Sequence, residues 1–165
     1  MSDSLTGLVN LLISANMIKD LDLADAKFPL SQTWAQEFQS GSGSGQINKL
    51  FADTRTLADG ANEELDLAGA LTDPFGASLT FTKVKVLAIK NKSATQTLSV
   101  GGAAANAWSA LFGDATDILK IAPSSMALLV CDPAGVAVTA ATADLLKIAN
   151  SAGAAADYDI IVLGI

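Results

Sequence analysis

The side chains in this chain that could do chemistry are carboxylates, one arginine and one thiol. Among 165 residues there is no histidine and a single cysteine, Cys131. Without an imidazole, neither a Ser-His-Asp nor a Cys-His arrangement can be assembled. A tetrahedral zinc site of the Cys/His type is excluded for the same reason. Carboxylate pairs are the remaining resource: Glu63 with Glu64, and Asp157 with Asp159 two apart on one strand face. Such pairs can move protons or hold calcium, and equally can be a solvated face. Asp20-Leu-Asp22-Leu-Ala24-Asp25 starts like a calcium loop but lacks the glycine at its sixth position and the closing glutamate. Gly41-Ser-Gly43-Ser-Gly45 lacks the Lys-Ser/Thr of a phosphate-binding loop, and Gln46 stands where a dinucleotide fingerprint needs its last glycine. Cys131 closes the apolar run from Met126 and reads as a buried, inert thiol. No enzyme, metal or cofactor is expected from this inventory.

One polar cluster stands out. Asp53-Thr-Arg55-Thr is followed by Glu63-Glu-Leu-Asp66, and Arg55 is the only arginine of the chain. If these segments are neighbouring strands, Arg55 can bridge to Asp53, Glu63 or Asp66 with paired hydrogen bonds, within a subunit or across an interface. A structural ion pair is the expected role.

The elements that would position these residues are mostly strands. Ile47 to Leu57, Leu65 to Leu67, Leu79 to Asn91, Thr95 to Val100, Ile118 to Ala122, Met126 to Cys131, Gly135 to Thr139, Leu145 to Ala149 and Tyr158 to Leu163 are rich in β-branched or apolar residues. Turn signals such as Asp73-Pro-Phe-Gly76, Gly101-Gly102 and Asp132-Pro-Ala-Gly135 separate them at intervals suited to antiparallel sheets. The expected fold is all-β: an antiparallel two-sheet β-sandwich, jelly-roll-like, with an N-terminal arm and at most one short helix. In Leu79–Asn91 the apolar residues slip phase, with Val84 and Val86 even and Leu87 and Ile89 odd, which predicts one or two bulges or a strand that bends from one sheet to the other. Ala103 to Phe112 fits a short helix or a long wall loop. Lys83, Lys85, Lys90 and Lys92 are expected to form the solvated edge of a strand.

The Gly-Ser run at 40–45 reads as a flexible loop or linker, dividing the chain into residues 1–40 and a sandwich domain at 41–165. Residues Leu8 to Ala24 are densely apolar without a clean period, so an amphipathic helix and an extended arm both satisfy Leu8, Val9, Leu11, Leu12 and Ile13. Those five are the expected contacts to another subunit or to a larger assembly.

Charge narrows the partners. Seventeen acidic residues against ten basic ones give a net charge of -7, which opposes binding to nucleic acid. No apolar run approaches the roughly 20 residues of a membrane helix, so a membrane is not expected as partner. With one cysteine and no basic signal at the start, folding in a reducing cytoplasm is expected.

Several motifs together resemble a family of small virion structural proteins of tailed bacteriophages: Asp53-Thr-Arg-Thr-Leu57, Glu64-Leu-Asp-Leu-Ala-Gly69, Leu71-Thr-Asp-Pro-Phe-Gly76, Leu79-Thr-Phe-Thr-Lys-Val-Lys85, Asn91, Val100-Gly-Gly102 and Tyr158-Asp-Ile-Ile-Val-Leu-Gly164. The similarity covers about residues 41 to 165. It implies a β-sandwich that joins a particle, most of all a head decoration (cement) protein on the capsid exterior. The partners implied are the major capsid protein and other copies of the chain, as trimer or dimer. A tail, collar or fibre-base component, or a receptor- or carbohydrate-binding module using Trp34, Trp108 or Tyr158, are the alternatives.

Overall fold

A computed structural model describes residues 4–165. Among the described residues there are fourteen strands and no helix. The chain opens with a long hairpin, β1 (Gly7–Lys19) and β2 (Ala26–Ser40), paired without interruption from Gly7↔Phe38 to Lys19↔Ala26. The strand β3 (Gln46–Ile47) runs parallel to the end of β2. Then follow β4 (Lys49–Leu57), β5 (Asn62–Asp66), the small pair β6 (Leu71–Thr72) and β7 (Ser78–Leu79), β8 (Lys83–Asn91) and β9 (Leu98–Gly101). The chain ends with β10 (Ile118–Ile121), β11 (Met126–Val130), β12 (Val136–Ala137), β13 (Leu145–Asn150) and β14 (Ala156–Gly164).

Two antiparallel sheets make the sandwich, ordered β10-β9-β13-β5 and β11-β8-β14-β4, with β12 also paired to β8. Strand alternation sends one set of side chains into the space between them. Leu65, Leu98, Val100, Leu146 and Ile148 enter from the first sheet, and Phe51, Leu87, Ile89, Ile160 and Val162 from the second. Trp108 and Phe81 close the core, both 1% exposed. The segment Ala103 to Phe112 is a wall loop rather than a helix: Trp108 N–H donates to Leu145 O and its indole Nε1 donates to Ala137 O at 2.8 Å.

The phase slip in β8 is a bulge centred on Lys85. Leu163 pairs with Val86 and Gly164 with Val84, so Lys85 has no partner on β14. One extra residue turns Val86 to the outer face while Val84, Leu87 and Ile89 stay in the core. The strands crowd there: a Cβ at Gly164 would collide with the Lys83 carbonyl oxygen.

Two expectations are corrected here. β8 is an interior strand, not a solvated edge, and Lys85 is fully buried. Its ammonium Nζ donates to Gly43 O at 2.6 Å, and burial, reinforced by nearby Lys83, pushes its pKa down. The Gly-Ser run is not a free linker either. Gly41 N–H donates to Ile47 O, Gly45 N–H to Pro133 O, and Gly43 N–H to Gln46 Oε1. Gly41 and Gly45 have φ of 142° and 69°, so glycine allows the tight reversal that these bonds lock.

Candidate interaction surface

The arm is built by cross-strand pairing, and its register assigns each side chain to a face. Directly opposed residues share a face. One face holds the pairs Val9↔Gln36, Leu11↔Trp34, Ile13↔Gln32, Ala15↔Leu30 and Met17↔Phe28. The other holds Leu8↔Glu37, Asn10↔Ala35, Leu12↔Thr33, Ser14↔Ser31, Asn16↔Pro29 and Ile18↔Lys27. The first face is apolar apart from Gln32 and Gln36, and free of charge over that length. The second is mixed.

At its base the apolar face is seated on the body. Phe38 packs with Ile47 of β3 and Val86 of β8, and Leu5, Val9 and Leu163 surround them. This second small core lies on the outer face of the five-stranded sheet, opposite the main core. Beyond it the arm leaves the body, and every residue from Asn10 to Ala35 is exposed. Trp34 is 57% exposed, Phe28 66% and Met17 72%. Where the arm departs, Leu11 and Trp34 line a cavity with Leu128 and Val130 of the edge strand β11. The segment Leu8 to Ala24 is therefore extended, and of its five expected contact residues Leu8, Leu11, Leu12 and Ile13 are exposed while Val9 is half-buried. Leu8 and Leu12 lie on the mixed face, Leu11 and Ile13 on the apolar one.

The polar cluster lies at the opposite side of the five-stranded sheet. Phe51, Asp53, Arg55 and Leu57 alternate on the β4 face that looks toward the other sheet, and Glu63 and Leu65 do the same on β5. Both are edge strands, so the ion pair spans the two sheets at their open side. Arg55 Nη1 donates to Asp53 Oδ2 at 2.8 Å, and Arg55 Nε donates to Glu63 Oε2 at 2.7 Å. Tyr158, opposite Arg55 on β14, donates its hydroxyl to Glu63 Oε1 at 2.6 Å. Hydrogen bonding to Glu63 raises the Arg55 pKa, against the opposing effect of burial. Asp66 is not part of this bridge. It lies one residue past the inward-facing Leu65, which sends it to the opposite face, where Oδ1 accepts the Ala68 N–H at 2.8 Å.

The remaining carboxylate pairs have local partners. Asp157 accepts the Thr56 hydroxyl and Asp159 the Thr54 hydroxyl, both at 2.6 Å, and Asp159 also pairs with Lys92 at 3.2 Å. Glu64 is exposed on β5, and no group of three potential metal ligands occurs among the described residues. Cys131 is buried, and burial pushes its thiol pKa up. Among the described residues no helix is long and apolar enough to cross a membrane.

Protein-family models, curated proteins and solved structures were all compared with the chain, and none of them matches it.

Two features escaped the sequence reading. Trp34 and Phe28 belong to the same exposed face as Leu11, which needs the hairpin register to be seen. Glu63 serves Tyr158 as well as Arg55, a contact between strands 95 residues apart in sequence.

Proposed function

We propose that this chain is a structural protein of a tailed-bacteriophage virion, a capsid decoration protein that binds the outside of the head and stabilises the shell. The observation that carries the reading is the arm: an uncharged, mostly apolar face from Leu11 to Met17 and Phe28 to Trp34 that no described part of its own chain covers. A face of that kind serves contact with another surface. The motif residues that resemble the phage family support the reading, since they build the parts that stiffen the sandwich: Arg55 of the ion pair, Tyr158 beside it, Gly164 against the Lys83 carbonyl, and Asn91, whose buried amide donates to the carbonyls of Gln96, Ile121 and Ala122.

The mechanism is passive. A rigid acidic body stays on the particle exterior, away from packaged DNA, while an apolar arm reaches a neighbouring subunit, the major capsid protein or another copy. Repeated over a shell, weak contacts add up through multivalency.

A tail or collar component is the second reading. It is favoured by the backbone edges that β1 and β4 leave open, which suit ring closure by strand addition. A sugar-binding module has less support, because of its three candidate rings Trp108 and Tyr158 are buried and Trp34 alone is exposed.

The test is to mix the purified protein with heads assembled without it, count bound copies and measure survival under heat or osmotic shock. Saturable binding in step with the capsid lattice and tougher shells are expected. Shells that neither bind it nor gain strength overturn the decoration reading.

A further inference from the structure

We infer that the apolar face of the arm is covered by a second copy of this chain, so that the protein is a homo-oligomer held together through Trp34, Leu11 and their neighbours before it meets any larger particle. The inference rests on reading the arm as an assembly element and adds the identity of its partner.

Area comes first. Leu11, Ile13, Met17, Phe28, Leu30 and Trp34 are each between 39% and 72% exposed. With Leu128 and Val130 beside them, they present on the order of 800 Å² of surface, about what each partner gives to a standard-sized protein interface. The largest apolar patch on an ordinary monomer is roughly 300–600 Å². The apolar part of this surface therefore stands at or above the top of that range.

Charge permits a second copy on this face. Two copies that each carry -7 repel, and they can approach most closely where neither presents a charge. From Val9↔Gln36 to Met17↔Phe28 the face contains no ionisable side chain, and its polar members are the neutral Gln32 and Gln36. The outward residues of β11 beside it, Met126, Leu128 and Val130, are likewise neutral.

Continuity supplies the third argument. The same face that is exposed at Trp34 is already buried at Phe38, where it packs on Ile47 and Val86. The open cavity between Trp34 and Leu128 extends that packing outward, so a second apolar face prolongs a contact that exists. A two-stranded hairpin is marginal in water by itself. Association removes that weakness.

Sedimentation velocity of the full-length protein through the micromolar range provides the test, with iodide quenching of Trp34 as a second readout. Masses at a multiple of 16.8 kDa and a protected Trp34 are expected. Trp34→Ser and Leu11→Ser should each weaken association, by roughly 30-fold for the tryptophan as a central contact. Ile118→Ser, exposed on the other sheet, should leave it unchanged. Near-UV circular dichroism from buried Trp108 checks that every variant is folded. A monomer at all concentrations overturns the inference, as does an oligomer indifferent to both arm substitutions. A monomer whose Trp34 is protected only by phosphatidylcholine vesicles assigns the face to lipid and also overturns it. Protection only by added heads overturns it while leaving the decoration reading intact.

Discussion

Tyr158 of one sheet donates its hydroxyl to Glu63 of the other, at 2.6 Å, across the open side of the sandwich. The phenol is completely buried, and Glu63 is simultaneously held by Arg55. A single carboxylate thus joins β14, β4 and β5. This three-way contact fixes the separation of two edge strands that pair with no further strand among the described residues.

The contact makes stability depend on alkaline pH. Burial, and then the bond to Glu63, push the Tyr158 phenol well above its ordinary value, with Arg55 opposing. The unfolded phenol titrates near pH ~10. Below that pH both states keep the proton and the contribution is fully present. Above it the unfolded chain sheds a proton that the folded one retains, so stability falls as pH rises. Tyr158 is the only tyrosine, so phenolate absorbance reports it alone. The band should emerge together with loss of near-UV circular dichroism, and a phenolate in folded protein near pH ~10 contradicts the geometry.

Removing the shared acceptor should be costly. Glu63→Ala leaves the buried Tyr158 hydroxyl without a partner and Arg55 with Asp53 alone, which is expected to cost about 3 kcal/mol in urea unfolding. Asp66→Asn keeps an acceptor for the Ala68 N–H on the opposite face and should cost no more than about 0.5 kcal/mol. Equal losses at the two positions would show that the Arg55 bridge does not discriminate between them.

Gly164 is a third sensitive point. An added Cβ meets the Lys83 carbonyl and the Phe81 ring beside the bulge, and backbone cannot yield as a flexible side chain would. Gly164→Ala should destabilise by about 3 kcal/mol, by forced overpacking. Gly60→Ala, with open space around its Cβ position but φ of 63°, should cost about 1 kcal/mol from backbone strain alone. Denaturant midpoints of the two variants check the order.

How much of this could be seen in the sequence follows from which residues alternate. Strands such as Tyr158–Leu163 announce themselves because a two-residue period and β-branching coincide. The slip between Val86 and Leu87 was visible and fitted a bulge or a bend between sheets; the register on β14 decides for the bulge. The burial of Lys85 was not visible, because a lysine reads as solvated until the Gly-Ser turn that covers it on the outer face, and the Gly43 carbonyl that receives it, are known. Ser-Gly repeats carry no signal of the bonds their backbone makes, so the locked turn at 41–45 looked like a linker. Arg55 was legible as the centre of an ion pair, yet choosing Glu63 over Asp66 requires strand parity, since three residues' difference reverses the face. The arm's Leu11 and Ile13 stood out as apolar. Their partners Trp34 and Gln32 depend on a register that no local pattern encodes.

That register also implies that arm and body separate energetically. Nothing from Asn10 to Ala35 is buried within the chain, whereas Val9 and Phe38 pack on Ile47 and Val86. Excising residues 10–35 and joining Val9 to Gln36 by an Asn-Gly turn should leave the body's urea midpoint unchanged when the parent is measured at a concentration where it is monomeric. Trp108 is then the sole tryptophan and reports the core directly. Excision extended through Phe38 uncovers Ile47 and Val86 and should cost about 3 kcal/mol, as for loss of a large buried aromatic. A fall in midpoint already with the shorter excision would mean that the distal arm folds back on its own sandwich, and would remove the exposed face on which assembly depends.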